Sequence, residues 1–359
     1  MNRIVSRIAL LLLALTLGSQ LHAQFTTTFA KNINPGQQNG LYYSLPQTML
    51  KLDFIIEEAQ LVKGPLSDYA SSYFEMEDYV EYETTEYKLL DVKMSSVASP
   101  DPNALYFVTF TAARGGSKLQ FDVLPNGIIR SVGIGNDAEA VEEKPVLQEQ
   151  PQCCEGEYNN EGFIELMSAG KTNAMLAKEV VDKIAEIRKA KFYLVSGDVE
   201  MASNPETFNA MYKRLDDMEK EYTSLILGKR VAKKVVKTVY VIPNKEVPTQ
   251  TVAKFSETDG LTVGTSGSGS MITVQTLSLN TTAAINAPSQ SAMESMTYDS
   301  KVFYRIPETA NVKVSCDGKT LLEDRIIVNQ LGALLTAPVT NTKLVFDTET
   351  GQIVNMRMQ

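Results

Sequence analysis

The clearest structural signal in this 359-residue chain is the segment Leu50-Lys51-Leu52-Asp53-Phe54-Ile55-Ile56-Glu57. Its apolar side chains recur at every second position, which is the period of a β-strand with one buried face. Further strand-like segments follow at 87–94, 104–113, 118–124 and 128–134, and the last two are joined by the hairpin sequence Pro125-Asn126-Gly127. Residues 41–135 are therefore predicted to form an N-terminal, mostly antiparallel β domain.

Two amphipathic helices are predicted next, as an antiparallel helical hairpin over residues 161–228. The first places Leu176, Val180, Ile184 and Ile187 on one stripe. The second begins at Pro205 after the N-cap Asn204 and ends at Gly228. Its predicted apolar face consists of Phe208, Met211, Tyr212, Leu215, Met218, Tyr222, Leu225 and Ile226.

Residues 229–359 return to short strand-like segments and are predicted to form a C-terminal β domain. About nine strands separated by turns are typical of a sandwich or a small barrel. Hairpin turns are predicted at Asp317-Gly318 and at Glu349-Thr350-Gly351. The predicted fold class is thus α+β, with two mostly antiparallel β domains, each a sandwich or small barrel, flanking a long helical hairpin.

A short internal repeat links the two β regions. Tyr43-Ser44-Leu45-Pro46-Gln47-Thr48 and Tyr304-Arg305-Ile306-Pro307-Glu308-Thr309 share the pattern Y-x-[LI]-P-x-T. Each copy is followed later by a glycine and a short apolar strand, at Gly127 and at Gly332. The repeat suggests that the two β regions are related to each other.

Three segments outside these regions differ in composition. Residues 1–23 combine Arg3 and Arg7 with a short apolar stretch and a small-residue cleavage site, which predicts a secretory signal peptide. No cysteine lies near that site, and no later apolar run has the length of a spanning helix, so neither a lipid anchor nor a transmembrane segment is expected. Residues 24–40 are a polar lead-in without predicted regular structure, and residues 136–160 are an acidic linker.

Charge and histidine content exclude several functions. The formal net charge is -9, and it becomes -11 without residues 1–23, which hold two of the 34 basic and none of the 43 acidic residues. Nucleic acid is therefore not an expected partner. The only histidine, His22, lies in the signal peptide, so catalysis with a histidine base and histidine-ligated metal sites are excluded from the exported product.

The cysteines and one acidic segment are the remaining candidates for chemistry. Cys153, Cys154 and Cys316 are expected to be oxidised after export, either as a bridge from the adjacent pair to Cys316 or as a vicinal bridge, with reactive thiols as the alternative. An acidic, tyrosine-rich segment either binds calcium or a cationic partner, supplies a glycosidase acid and base, or is only a solvated strand and turn. Its candidate residues are Glu75, Glu77, Asp78, Glu81 and Glu83.

The chain resembles an uncharacterised family of exported Bacteroidota proteins, domain of unknown function 4831. The resemblance is carried by the segments 40–48, Gly64-Pro65-Leu66 with Tyr69-Ala70, 187–198 and Tyr304-Arg305-Ile306-Pro307. Membership implies a protein of the periplasm or associated with the outer membrane. It implies no catalytic residues.

These observations favour a non-enzymatic adaptor or structural protein of the cell envelope that binds another envelope protein. No catalytic residue, cofactor site or metal site is predicted. A carboxylate-dependent hydrolase of the glycosidase type and a glycan- or peptide-binding protein remain as alternatives. A cleft with two suitably spaced carboxylates would favour the hydrolase, and an exposed apolar patch would favour binding.

Overall fold

The computed structural model describes residues 25–33, 39–74, 79–110, 119–134, 170–196, 205–340 and 342–358. The strands in these ranges are β1 (Phe25–Phe29), β2 (Gly40–Val62), β3 (Thr84–Phe110), β4 (Leu119–Val123), β5 (Ile129–Ile134), β6 (Lys229–Val241), β7 (Thr249–Ser256), β8 (Gly260–Val263), β9 (Ser270–Ser278), β10 (Tyr298–Asp299), β11 (Lys301–Cys316), β12 (Lys319–Pro338), β13 (Thr342–Phe346) and β14 (Ile353–Met358). The helices are α1 (Ala70–Tyr73), α2 (Asn173–Ser196), α3 (Pro205–Leu227) and α4 (Gln290–Glu294), with 3-10 turns at Ala30–Asn32 and Ser67–Tyr69. The predicted signal peptide and acidic linker lie outside the described residues.

The strands form three sheets, and the strand pairings within each sheet are antiparallel. One sheet has the order β10-β1-β3-β2-β6, a second has the order β12-β11-β9-β7-β8, and a third has the order β14-β13-β5-β4. The prediction of mostly antiparallel β structure is confirmed. Strands from both sides of the helices share sheets, because β6 pairs with β2 and β13 pairs with β5. Regions that are separate along the chain therefore lie in the same sheet. The predicted domain boundaries stay a prediction.

The predicted polar lead-in contains the strand β1, so the expectation of irregular structure there was wrong over Phe25–Phe29. The short sequence Phe-Thr-Thr-Thr-Phe alternates, and both phenylalanines are buried. This strand pairs with β3 from Phe25 opposite Phe110 to Phe29 opposite Tyr106. The alternation of apolar and polar side chains covers only five residues. These residues still form a strand, because pairing with the distant strand β3 supplies their backbone hydrogen bonds.

Two long strand pairs form the frame of the molecule, and each has a bulge in its middle. Between Ser44 and Pro46 of β2 the paired residues on β3 jump from 105 to 100. Between Ile306 and Glu308 of β11 the paired residues on β12 jump from 333 to 328. Residues 101–104 and 329–332 are thus looped out of the two ladders. A proline cannot donate to a ladder, which favours a bulge at Pro46 and Pro307.

The bulges divide two hydrophobic cores. On one side lies an aromatic core in which the ring of Tyr106 stacks on Phe303 with centroids 4.2 Å apart. On the other side lies a mainly aliphatic core that contains Leu50, Leu52, Phe54 and Ile56. All four of these side chains are buried, as their alternation predicted. Both strand pairs pass through both cores.

The internal repeat is visible in the hydrogen bonds as well as in the bulges. The Ser44 N–H donates to the Gly127 carbonyl at 2.8 Å, and the Arg305 N–H donates to the Gly351 carbonyl at 3.0 Å. Both glycines have positive φ, 93° and 77°, in the turns β4–β5 and β13–β14. The glycine equivalent to Gly127 is therefore Gly351 and not Gly332, which lies in the bulge of β12.

The helices α2 and α3 pack on each other and on the connection between β2 and β3. The predicted stripe of α2 is confirmed, because Leu176, Val180, Ile184 and Ile187 are buried. On α3 only Leu225 and Ile226 are buried, and the other apolar positions of its predicted face are partly or fully exposed. Within the described residues no helix has both the length and the hydropathy to cross a bilayer.

Candidate functional site

The acidic segment and the cysteines are only partly within the described residues. Glu81 and Glu83 are exposed on the connection that leads into β3, whereas Glu75, Glu77 and Asp78 lie outside. In the described part of the chain no three His, Cys, Asp or Glu side chains come together in a way that could hold a metal ion. The acidic patch therefore stays a prediction.

Cys316 ends β11 beside the aliphatic core. It is half-buried, and burial raises the pKa of its thiol, with a further contribution from the charge of Asp317. Its predicted partners, Cys153 and Cys154, lie outside the described residues. The disulfide stays a prediction, and the raised pKa makes Cys316 a poor nucleophile if it is reduced.

The end of the helix pair far from the sheets carries exposed apolar side chains. The apolar tip, as we call it, consists of Phe192, Tyr193, Val195, Met211 and Tyr212, with Phe192 67% and Val195 64% exposed. A groove of about 700 Å³ runs between the two helices here, with Leu194, Ala210, Met211 and Leu215 in its walls. Apolar surface of this kind at one place marks an interaction site more often than isolated exposed side chains do.

Ion pairs join α2 to α3 next to the apolar tip. Lys191 Nζ lies 2.8 Å from Asp216 Oδ1 and 2.7 Å from Glu219 Oε2, while Arg188 Nε lies 2.6 Å from Glu219 Oε1. Hydrogen bonds from Lys191 and Lys220 lower the pKa of Asp216 to about 2. The two helices are thus fixed to each other by charge where the hydrophobic core between them ends.

Basic side chains surround the apolar tip. The Lys189 ammonium lies 5.7 Å from the ring centroid of Tyr193, and the Lys191 ammonium lies 5.5 Å from that of Tyr212. Arg214 lines the groove. In contrast to Lys191, the side chains of Lys189, Lys213 and Arg214 form no ion pair within the described residues. These three cations are available to a partner.

A second candidate site lies where the two bulges meet between the cores. This junction cleft has a volume of about 750 Å³, and a buried Arg305–Asp101 pair is part of its lining. The Arg305 guanidinium donates to Asp101 Oδ2 at 2.8 Å and to the Pro46 carbonyl at 2.9 Å. Asp101 Oδ1 accepts the Asn103 N–H at 2.9 Å. Both carboxylate oxygens are engaged, so Asp101 is held as a structural partner and not as a free general base.

The other bulge is held by amide and hydroxyl groups. The Gln330 side chain accepts the Thr48 N–H at 2.9 Å and donates to the Thr48 and Pro243 carbonyls at 2.9 and 3.1 Å. The Asn329 N–H donates to Thr48 Oγ1 at 3.0 Å. These contacts fasten β12 to β2 and to the connection between β6 and β7, and they give the junction cleft a rigid wall.

One further buried carboxylate, Glu308, follows Pro307 directly. The backbone N–H groups of Thr281 and Thr282 donate to it at 2.8 and 3.0 Å, and both threonine hydroxyls donate as well. Burial alone would raise its pKa, but these hydrogen bonds lower the pKa of Glu308 to about 2. The arrangement anchors a loop to β11.

Sequence reasoning found the helices but not the junction cleft. Its lining residues come from several distant parts of the chain, and a buried arginine such as Arg305 has no distinguishing local pattern. The one available signal was the repeated Y-x-[LI]-P-x-T motif, since one bulge lies directly before its proline and the other lies at its proline. A proline that occurs in both copies of a repeat and interrupts a strand in each is a candidate for a functional bulge.

Comparison with known proteins gives a family and no described relative. Neither a curated protein nor a solved structure matches the chain. The family model described as Domain of unknown function (DUF4831) matches residues 39–354 and so includes both strand pairs, both long helices and the junction cleft. The chain therefore belongs to the family of proteins that contain this domain of unknown function.

Proposed function

We propose that the protein is an exported, non-enzymatic adaptor of the cell envelope, in which α2 and α3 form an antiparallel helical hairpin whose apolar tip binds a partner protein. The observation that carries this proposal is the exposure of Phe192, Val195 and their neighbours at the apolar tip. Aromatic and methionine side chains are enriched at the centres of protein interfaces. Binding hot spots are side chains that meet in well-packed, desolvated pockets, and the groove lined by Tyr193, Leu194 and Met211 offers such a pocket next to the exposed side chains.

The charges around the groove indicate the chemistry of the partner. From Ile187 to Leu215 the sequence contains five basic and three acidic residues, although the whole chain has a net charge of -9. Lys189, Lys213 and Arg214 are the cations that, among the described residues, lack an internal ion pair. We therefore expect a partner segment with apolar anchors for the groove and acidic residues beside them.

The place of action in this proposal rests on the sequence of residues 1–23, which have the composition of a signal peptide. An exported chain without a lipid anchor would reach the periplasm and bind peripherally at the outer membrane. The adaptor role and the export are separate parts of the proposal. Each can fail without the other, because interaction at the tip is measurable on purified protein.

Site-specific photocrosslinking in the native cell tests the proposal. Phe192→benzoylphenylalanine places the crosslinker at the apolar tip, and Val354→benzoylphenylalanine on β14 is a control, because Val354 is 61% exposed on a different surface. We expect one stoichiometric adduct from the tip and none of that mass from the control. The crosslinked peptide of the partner should carry apolar side chains with Asp or Glu close by.

Two substitutions provide the complementary test with the purified partner. Tyr193→Ala and Met211→Ala, which truncate exposed side chains that line the groove, should each weaken binding about thirtyfold, because truncation of a hot spot costs about 2 kcal/mol. Val354→Ser should leave binding unchanged. Raising the salt concentration should weaken binding if acidic residues are engaged. Equal adducts from both crosslinker positions, or undiminished binding of both tip variants, would contradict the adaptor proposal.

A further inference from the structure

The junction cleft lies apart from the helix pair, and the adaptor proposal makes no use of it. Its volume of about 750 Å³ falls in the range of small-molecule sites, roughly 300–1,000 Å³. Its lining comes from both bulges, from the connection between β6 and β7, from β7 and from α4. A cleft whose walls are held by side chains from so many elements is preformed, which lowers the cost of binding a ligand.

Three glutamines give this cleft a defined hydrogen-bonding character. Gln250 Nε2 donates to the Ile242 carbonyl at 3.0 Å, Gln290 Nε2 to the Asn103 carbonyl at 3.2 Å, and Gln47 Nε2 to the Pro100 carbonyl at 3.2 Å. One N–H of each amide is thus committed to a wall of the cleft, and Gln290 Nε2 also donates to Glu294 Oε1 at 3.3 Å. The three Oε1 atoms accept no hydrogen bond within the described part of the chain. They leave the cleft lined with free acceptors.

The charges of the lining disfavour an ionic ligand. The Arg305 guanidinium is paired with Asp101, and Lys245 and Glu246 add one charge of each sign. The four charged residues of the lining are thus two of each sign, so the cleft has no net charge that would attract a cation or an anion. The complementary ligand is neutral and presents several hydrogen-bond donors. Hydroxyl groups on a compact ring satisfy this description.

We propose that the junction cleft binds a neutral saccharide of one or two rings, whose hydroxyl groups donate to the oxygens of Gln47, Gln250 and Gln290. The apolar side chains of Ile242, Val247 and Leu331 in the same lining would contact the C–H faces of the ring. This site is independent of the apolar tip. Failure of one proposal leaves the other standing.

Saturation-transfer NMR on the full chain is the test. The probes are glucose, galactose, mannose, N-acetylglucosamine, maltose, lactose and N,N′-diacetylchitobiose, with tetraglycine amide as a neutral peptide probe. We expect transfer to at least one saccharide and none to the peptide. The dissociation constant of the best saccharide is then measured by titration for the unmodified chain and for the variants.

Two kinds of variant separate a ligand site from general surface contact. The double variant Gln250→Leu with Gln290→Leu removes two acceptors and should weaken binding about tenfold or more. Val247→Trp fills the cleft without changing an amide and should abolish binding. Gln60→Leu, on an exposed position of β2 outside the cleft, is the matched control and should bind as the unmodified chain does.

Each variant must keep the circular dichroism spectrum of the unmodified chain and its melting temperature to within a few degrees. If the double variant does not meet this condition, the affinity of Val247→Trp alone decides the test. Absence of transfer to every saccharide would overturn the proposal. Equal affinity in Val247→Trp and the unmodified chain would overturn it as well. Transfer to tetraglycine amide alone would show a peptide site in place of a saccharide site.

Discussion

At the residue scale, the Arg305–Asp101 pair is the contact that joins the two strand pairs. Arg305 belongs to β11, while Asp101 and the Pro46 carbonyl belong to the bulge of β3 and β2. Both side chains are almost completely buried. A buried pair is weak evidence of net stability, because desolvation offsets the attraction, but removal of one partner leaves an uncompensated charge in the interior.

The substitution Arg305→Met should therefore lower the free energy of unfolding by about 3–5 kcal/mol. The double variant Asp101→Asn with Arg305→Met should be more stable than Arg305→Met alone. In the double variant no unpaired charge remains, and the oxygen of the new side-chain amide can still accept from the Asn103 N–H. Urea unfolding followed by circular dichroism measures both, with the exposed Arg325→Met as the control. A cost below about 1 kcal/mol for Arg305→Met would show that water reaches Asp101.

Glu308 gives a pH-dependent prediction at the same scale. Its folded-state pKa of about 2 lies below the ordinary value of 4.5, so the carboxylate stabilises the fold above pH 4.5 and loses this contribution as the pH falls toward 2. Glu308→Gln should cost about 1–3 kcal/mol at pH 7. The difference from the unmodified chain should shrink between pH 4.5 and pH 2.

Unfolding by urea at about pH 7, 4 and 2.5 measures this difference across the window in which the carboxylate titrates. Glu86→Gln, on an exposed position of β3, is the control. A cost that stays constant across the three pH values would mean that the hydrogen-bond geometry matters but the charge of Glu308 does not.

At the element scale, the bulges decide how the long strands reach both cores. In β12 the chain approaches β11 so closely that a Cβ on Gly332 would lie 2.0 Å from the Ile306 carbonyl oxygen. Backbone atoms of Pro307 and Glu308 lie within 3 Å of the same position. No side chain rotation relieves such a contact, because all three obstacles are main-chain atoms.

The substitution Gly332→Ala should therefore cost about 2–4 kcal/mol, at the upper end of overpacking effects. Gly264→Ala is the control, because Gly264 has a φ of 88° but nothing within 4 Å of the added Cβ. Its cost should be about 1 kcal/mol, for the backbone conformation alone. Thermal unfolding of the two variants measures the contrast, and equal costs would indicate that the bulge opens to accept the methyl group.

The same bulges limit what the sequence predicts. The sequence predicts short strands over residues 229–359 and did not indicate one long strand from Lys301 to Cys316, because Pro307 is typical of a strand end as well as of a bulge. The spacing on α3 predicted a buried face from Phe208 to Ile226, yet only Leu225 and Ile226, in its last turn, are buried. Periodicity records which side chains share a face, whereas the length of the neighbouring element decides how much of that face is covered.

At the scale of the whole molecule, the continuity of β2, β3, β11 and β12 ties the two cores together. Each strand contributes side chains to the aromatic core at one end and to the aliphatic core at the other. Unfolding one core would release half of every long strand. The helix pair differs, because its hydrophobic core includes only the base of α2 and α3 and leaves the apolar tip outside.

We therefore expect one cooperative transition for the two cores and separate, earlier opening of the helices near the apolar tip. Hydrogen exchange with mass spectrometry in increasing urea measures this, since peptides from 50–56 and 302–306 report the two cores and peptides from 187–196 report the helix end. The core peptides should reach one common opening free energy. If the predicted N-terminal and C-terminal β domains were independent folding units, β6 and β2 would exchange with different free energies although they are paired. That result would show that the units that unfold together are not the sheets in which the strands pair.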